Sequence, residues 1–182
     1  MIRFLQESLW KQFGASIDML MNAVQQCPEV YWQSNQRYCY IAYHTALYLD
    51  YYLSMPPTDF STPLPYTSTP FEEIPAGAVD DSVPNRLYSQ QEIRSYLQTS
   101  LEKCKRVIAG LTAERLQEKW IGKATGNDQY LSSPEAVHFT VLDILILNLR
   151  HVQHHTAQLN LLLRQGTNTA PDWISQTEEK LV

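Results

Sequence analysis

Seven of the chain's ten prolines fall between residues 55 and 88, and no regular helix runs through a stretch so dense in residues that lack a backbone N–H. The segments on its two sides must therefore fold as separate elements. A connection of about thirty residues inside one domain is uncommon unless it is functional or straps across the body. Its apolar residues Phe60, Leu64, Phe71, Ile74 and Val79 predict a strap packed on the fold.

Helical periodicity appears on both sides of the strap. Leu5, Leu9, Phe13, Ile17, Leu20 and Val24 recur at three- and four-residue spacing, which predicts a first helix over residues 2–26. Cys27-Pro28 ends it, because proline disfavours helix in the residue before it. A tyrosine-rich second helix is predicted over residues 35–54, stopped by Pro56-Pro57. Ser89-Gln-Gln-Glu92 is a capping-box pattern that opens a third helix running to about residue 111. Gly122, Gly126, Asn127 and Asp128 mark a turn-rich loop. A fourth helix is predicted from Ser133, with Pro134 at its first position, to about residue 165, stopped by Gly166. No strand or internal repeat is evident. The expected architecture is all-α: a four-helix bundle over residues 1–166, with a long proline-rich connection between helices 2 and 3. Residues 167–182 form a C-terminal tail, anchored through Trp173 and Ile174.

At 182 residues the chain fits one domain with a real core. A net charge of −5 and the lack of any basic stretch argue against a nucleic-acid backbone as partner. The N-terminus lacks the basic and apolar segments of a signal peptide. The longest apolar stretch, residues 141–149, is too short to span a bilayer. Cys27, Cys39 and Cys104 are an odd number with no CxxC spacing, which predicts reduced thiols packed in the core of a cytoplasmic protein.

The chemistry concentrates in the fourth helix, in His151-Val-Gln-His154-His155. Residues four apart share a helical face, so His151 and His155 can reach one ion. With His151 at zero and about 100° per residue, His155 falls at about +40°, on the apolar side, and His154 at about −60°, on the side of Asp143 and Arg150. Asn148, one turn earlier, also projects inward. Such an amide either meets a ligand or makes a core hydrogen bond. In the second helix His44 lies at the middle of an inward stripe with Ile41, Leu47, Tyr48 and Tyr51. A lone inward histidine is ordinarily a core residue. Three of them on two helices point to one divalent cation. Imidazole suits Zn²⁺, Ni²⁺, Cu²⁺ and Fe²⁺, and the residues alone do not select among them; zinc or nickel is the working expectation.

Other metal patterns fail. HExxH is absent, so no built-in glutamate base accompanies the histidines. The single ExxH, Glu135-Ala-Val-His138, is short of the two that a di-iron bundle requires. Asp50 lies about 120° around the helix from His44 and is poorly aimed to add a ligand. No GxSxG, P-loop or GxGxxG element occurs.

Tyr43-His44-Thr-Ala-Leu-Tyr-Leu-Asp50 and His151-Val-Gln-His154-His155-Thr-Ala-Gln158, with the proline-rich excursion after the second helix, resemble the DinB/YfiT-like family of metal-dependent enzymes over roughly residues 1–165. The resemblance implies a four-helix bundle, often dimeric, with a divalent metal on His44, His151 and His155. It also implies thiol-dependent transferase or isomerase chemistry with a low-molecular-weight thiol. Relatives often carry Arg-Gly after the last histidine; this chain has Thr156-Ala157.

The resulting expectation is a cytoplasmic, homodimeric, metal-dependent enzyme acting on a small molecule, its ion activating a thiol or water, with neither nucleic acid nor membrane as partner. Tyr48, Tyr51 and Asn148 are the expected pocket walls. The rival is a non-catalytic bundle in which the ion is structural or the histidines are plain core.

Overall fold

The computed structural model describes residues 2–121, 136 and 138–181. The apolar spacing of the N-terminal segment becomes α1, Ile2–Gln26. Phe13, Ile17, Leu20 and Val24 are completely buried along one face. After Pro28 the chain makes one short helix that the periodicity does not reveal, α2, Glu29–Ser34. Asn35 then accepts from the Tyr38 amide at 3.1 Å and opens α3, Gln36–Tyr52. Fourteen of the seventeen residues of α3 are buried, which makes it a helix surrounded by protein rather than an amphipathic surface helix.

The capping box at Ser89 and Glu92 forms as expected and starts α4, Gln90–Ala109. A short α5, Ala113–Gln117, comes next. The last helix, α6, is Val141–Thr167. The expected start at Ser133 and Pro134 lies outside the described residues. Among the described ones the helix begins at a second capping box, in which the Asp143 amide donates to Thr140 Oγ1 at 3.2 Å and the Asp143 carboxylate accepts the Thr140 N–H at 2.9 Å. At the other end α6 runs through Gly166, and Asn168 adopts the left-handed cap with φ 57°. Gly166 answers a different demand. A Cβ there would stand 2.1 Å from the Tyr31 ring, which lies close because the Tyr31 hydroxyl donates to the Leu162 carbonyl at 3.0 Å.

Hydrogen bonds fix the helix directions. Gln90 Nε2 donates to the Val24 and Cys27 carbonyls, and Gln6 Nε2 to those of Ala109 and Leu111, so α4 is antiparallel to α1. Gln153 reaches Ser16 and Tyr31 reaches Leu162, so α6 runs parallel to α1. Asn148 reaches the Leu49 carbonyl while His151 faces His44, so α3 is antiparallel to α6. It follows that α3 and α4 are parallel neighbours. A chain leaving α3 must return along its whole length, roughly 25 Å at 1.5 Å per residue, before α4 can start. The proline-rich strap makes that return.

The strap contains two three-residue strands that the sequence does not announce, β1 (Tyr66–Ser68) and β2 (Ser82–Pro84), antiparallel with Thr67 opposite Val83. Strands so short carry no readable alternation. Of the apolar strap residues, Leu64 joins the core and Phe60 packs against it, whereas Phe71 is 86% exposed and Val79 is also exposed. The tail is held differently from expectation. Trp173 is 71% exposed. The anchor is Thr177, whose side chain lies over Gly14 and whose amide donates to the Lys11 carbonyl at 3.0 Å. The Trp10 indole donates to the Glu179 carbonyl at 2.7 Å, and Leu181 is buried. No described helix is long and apolar enough to cross a membrane.

Candidate metal centre

Where α3 crosses α6, the structure brings His44, His151 and His155 together, each offering a ligand atom within 4.8 Å of the others. His44 and His155 are buried and His151 is half-buried. His44 Nε2 and His151 Nε2 stand 3.0 Å apart. Nitrogens about 2.0–2.1 Å from a tetrahedral zinc lie roughly 3.3 Å from one another, so this pair is already at ligand spacing. Two imidazole lone pairs facing each other at that distance repel unless a proton or a cation lies between them. The donor set fits a divalent metal.

The far nitrogens of the three rings are treated unequally. His155 Nδ1 bonds Gln158 Oε1 at 2.8 Å, which makes Nδ1 the protonated nitrogen and leaves Nε2 as the free donor. His44 Nδ1 lies 3.3 Å from Asp80 Oδ2, an ion-pair distance rather than a well-formed hydrogen bond, since His44 Nδ1 has no partner by hydrogen-bond geometry. His151 Nδ1 is buried with no partner among the described residues.

Burial, and then the neighbouring His44 and His155, push His151 down to about 3. Burial and His44 likewise lower His155 to about 4. Both rings are therefore neutral near pH 7, with lone pairs available to an ion. Burial would raise the Asp80 carboxyl, but the adjacent His44 imidazole, the Tyr48 hydroxyl and the Ser82 amide outweigh it and hold Asp80 below the usual carboxylate range.

Two grooves reach the triad. One is lined by Tyr52, Leu147, Arg150, His151 and His154, and the other by Arg37, Gly77, Val79, His155 and Gln158. His154 is exposed at the rim of both and bonded to Gln158 at 3.2 Å, outside the ligand cluster as its helical angle predicts. The expected pocket residues divide. The Tyr48 ring sits 4.5 Å from that of His44. Tyr51 is buried against Phe60 and Trp120 and lines neither groove. Asn148 is fully buried and donates to the Leu49 carbonyl at 3.1 Å. That carbonyl is open because the Leu53 amide bonds Asp50 instead, so Asn148 makes a core hydrogen bond.

Sequence reasoning missed Asp80, the one carboxylate beside the triad among the described residues. Asp80 sits in a strap without periodicity, and no spacing relates it to His44. Tyr52 lies eight residues after His44, which places it two turns along the same face; that signal was readable. The cysteines supply no nucleophile: all three are buried, and burial pushes Cys27 and Cys39 up to about 12 and Cys104 higher still. No known protein family, curated protein or solved structure matches this chain.

Proposed function

We propose that this protein is a four-helix bundle of the DinB/YfiT-like kind and a metal-dependent enzyme acting on a small molecule, with His44, His151 and His155 holding one divalent cation, zinc or nickel first among the candidates. The observation that carries the reading is the convergence of three inward imidazoles, one pair 3.0 Å apart, with no fourth histidine, cysteine or carboxylate joining them among the described residues. A closed structural site ordinarily uses four protein ligands, whereas a three-ligand site leaves a position for chemistry. An ion held there supplies Lewis-acid chemistry, lowering the pKa of a small thiol or of a water that reaches it.

The chain's own residues do the rest. His155 is fixed in one tautomer by Gln158. The Tyr48 ring covers His44 on the protein side. Arg150 in one groove and Arg37 in the other give each approach a cation. A small external thiol fits the nucleophile's role better than any residue of the chain, whose own thiols are buried. The test is to load the protein with cobalt and add a small thiol. A sulfur-to-metal absorption band is expected. A cobalt spectrum unmoved by millimolar thiol and by every competing anion would leave the ion a strut between α3 and α6.

The reading includes a homodimer, because Phe71, Trp173, Ile146 and Leu161 leave apolar surface exposed. Light scattering at micromolar concentration should give twice the 21.0 kDa chain mass; a monomer mass throughout would refute it.

A further inference from the structure

Each imidazole that ligates a metal through one nitrogen needs its other nitrogen settled, because the partner there fixes the tautomer and the ring's aim. Among the described residues, only His44 of the triad has an ionised partner. Asp80 reaches it from the strap, thirty-six positions further along the chain, and the strap is built to present that carboxylate. The Ser82 amide donates to Asp80 Oδ1 at 3.0 Å, closing a turn that leaves Oδ2 facing His44 Nδ1 at 3.3 Å. The Tyr48 hydroxyl bonds Asp80 as well and lies 3.4 Å from Ser82 Oγ. Ser82 is buried and begins β2, where it pairs with Ser68 of β1, so the small sheet sets the position of the turn. Gly77, at φ 94°, lets the preceding loop lie against Arg37 of α3, where a Cβ would stand 3.1 Å from that side chain.

We infer that Asp80 is a positioning residue for the metal site: it holds the His44 ring with Nδ1 protonated and Nε2 toward the ion, and adds one negative charge beside three neutral ligands. The inference rests on the proposed metal site. It gives the proline-rich strap a task that its return path along α3 does not require. Gln158 performs the neutral version of the same task for His155, and His151 has no such support among the described residues, so Asp80 is the support whose loss the ion should feel most.

The experiment compares the full-length wild type with Asp80→Ala, Asp80→Asn and Asp81→Asn. Zinc affinity is measured by competition with a chromophoric chelator, and the His44 tautomer by nitrogen-15 NMR of the metal-free protein. Asp80→Ala should lose roughly 10- to 100-fold in zinc affinity. Asp80→Asn keeps the shape of the turn and an acceptor for Ser82, so a loss of about tenfold there cannot come from a misplaced strap. Asp81→Asn removes the same charge from a neighbour whose carboxylate faces Ser68, and should match wild type. The wild-type His44 proton should sit on Nδ1. Wild-type affinity in both Asp80 variants, an equal loss in Asp81→Asn, or a His44 proton on Nε2 would each overturn the inference. A wild type that binds no zinc would instead overturn the metal reading, and the tautomer measurement would still decide what Asp80 does to His44.

Discussion

Two polar clusters are buried on α3 about one and a half turns apart, and they are built on opposite principles. Around Asp50, every group has its complement. Tyr96 donates to Oδ2 at 2.9 Å, and Lys103 bonds the carboxylate, the Asp50 carbonyl and Ser54 Oγ. The Trp120 indole closes the Ser54 carbonyl at 2.8 Å. Around His44, by contrast, three groups of the same kind converge, two of them nitrogen to nitrogen, and two ring nitrogens, His44 Nδ1 and His151 Nδ1, lack a hydrogen-bond partner among the described residues. A buried network in which all partners are satisfied rigidifies a core. One in which like nitrogens face each other at 3.0 Å needs a proton or a cation between them. The first cluster is complete as it stands, and the second has the donor set that a divalent ion would complete.

The contrast can be broken at either cluster. Asp50→Ala strands Lys103 and Tyr96 and should lower stability by about 2–4 kcal/mol, somewhat below the loss for a wholly buried pair because Lys103 is 27% exposed. Urea denaturation measures this, and zinc affinity should not change. The triad should respond the other way. Zinc at about a hundred times its dissociation constant should stabilise the wild type by ~2.7 kcal/mol, and the Asp50→Ala variant by the same amount. In His44→Ala, His151→Ala or His155→Ala that gain should vanish. A zinc gain that survives His151→Ala would mean that the ion sits elsewhere.

Acid gives a gentler test on metal-free protein. His151 and His155 have folded values of about 3 and about 4, below the ~6.5 of an unfolded histidine. The unfolded chain therefore binds more protons between those limits, and stability should decline as pH falls from about 6.5 toward 4. His151→Ala should flatten part of that decline; an unchanged pH profile would contradict the burial argument. Smallest of all is His154→Ala, on the exposed side of α6, where the expected stability change is within about 0.5 kcal/mol and zinc affinity stays at the wild-type value.

The same contrast explains what the sequence could reveal. Features carried by local periodicity were readable: the bounds of α1, the Ser89–Glu92 box, and the inward lean of His151 and His155 away from His154. Asp50's poor aim at the triad was readable for the same reason, and its carboxylate is occupied by Lys103 and Tyr96. Features set by which segment returns beside which were not. The parallel run of α3 and α4 and the delivery of Asp80 depend on contacts far apart in sequence. The tail shows the same limit, since Trp173 is the conspicuous apolar residue but Thr177 is the one that fits over Gly14. At the start of α6, the Thr140–Asp143 box follows the same local rule as the one at Ser89 and was equally readable.

The central claim is that three particular histidines hold one cation, and cobalt titration of untagged protein tests it most directly. Wild type and His154→Ala should each saturate at one equivalent with the intense visible bands of a tetrahedral ion, and His151→Ala should show neither saturation nor bands. A wild type that fails to saturate, or a His154→Ala variant that loses its bands along with His151→Ala, would contradict the account.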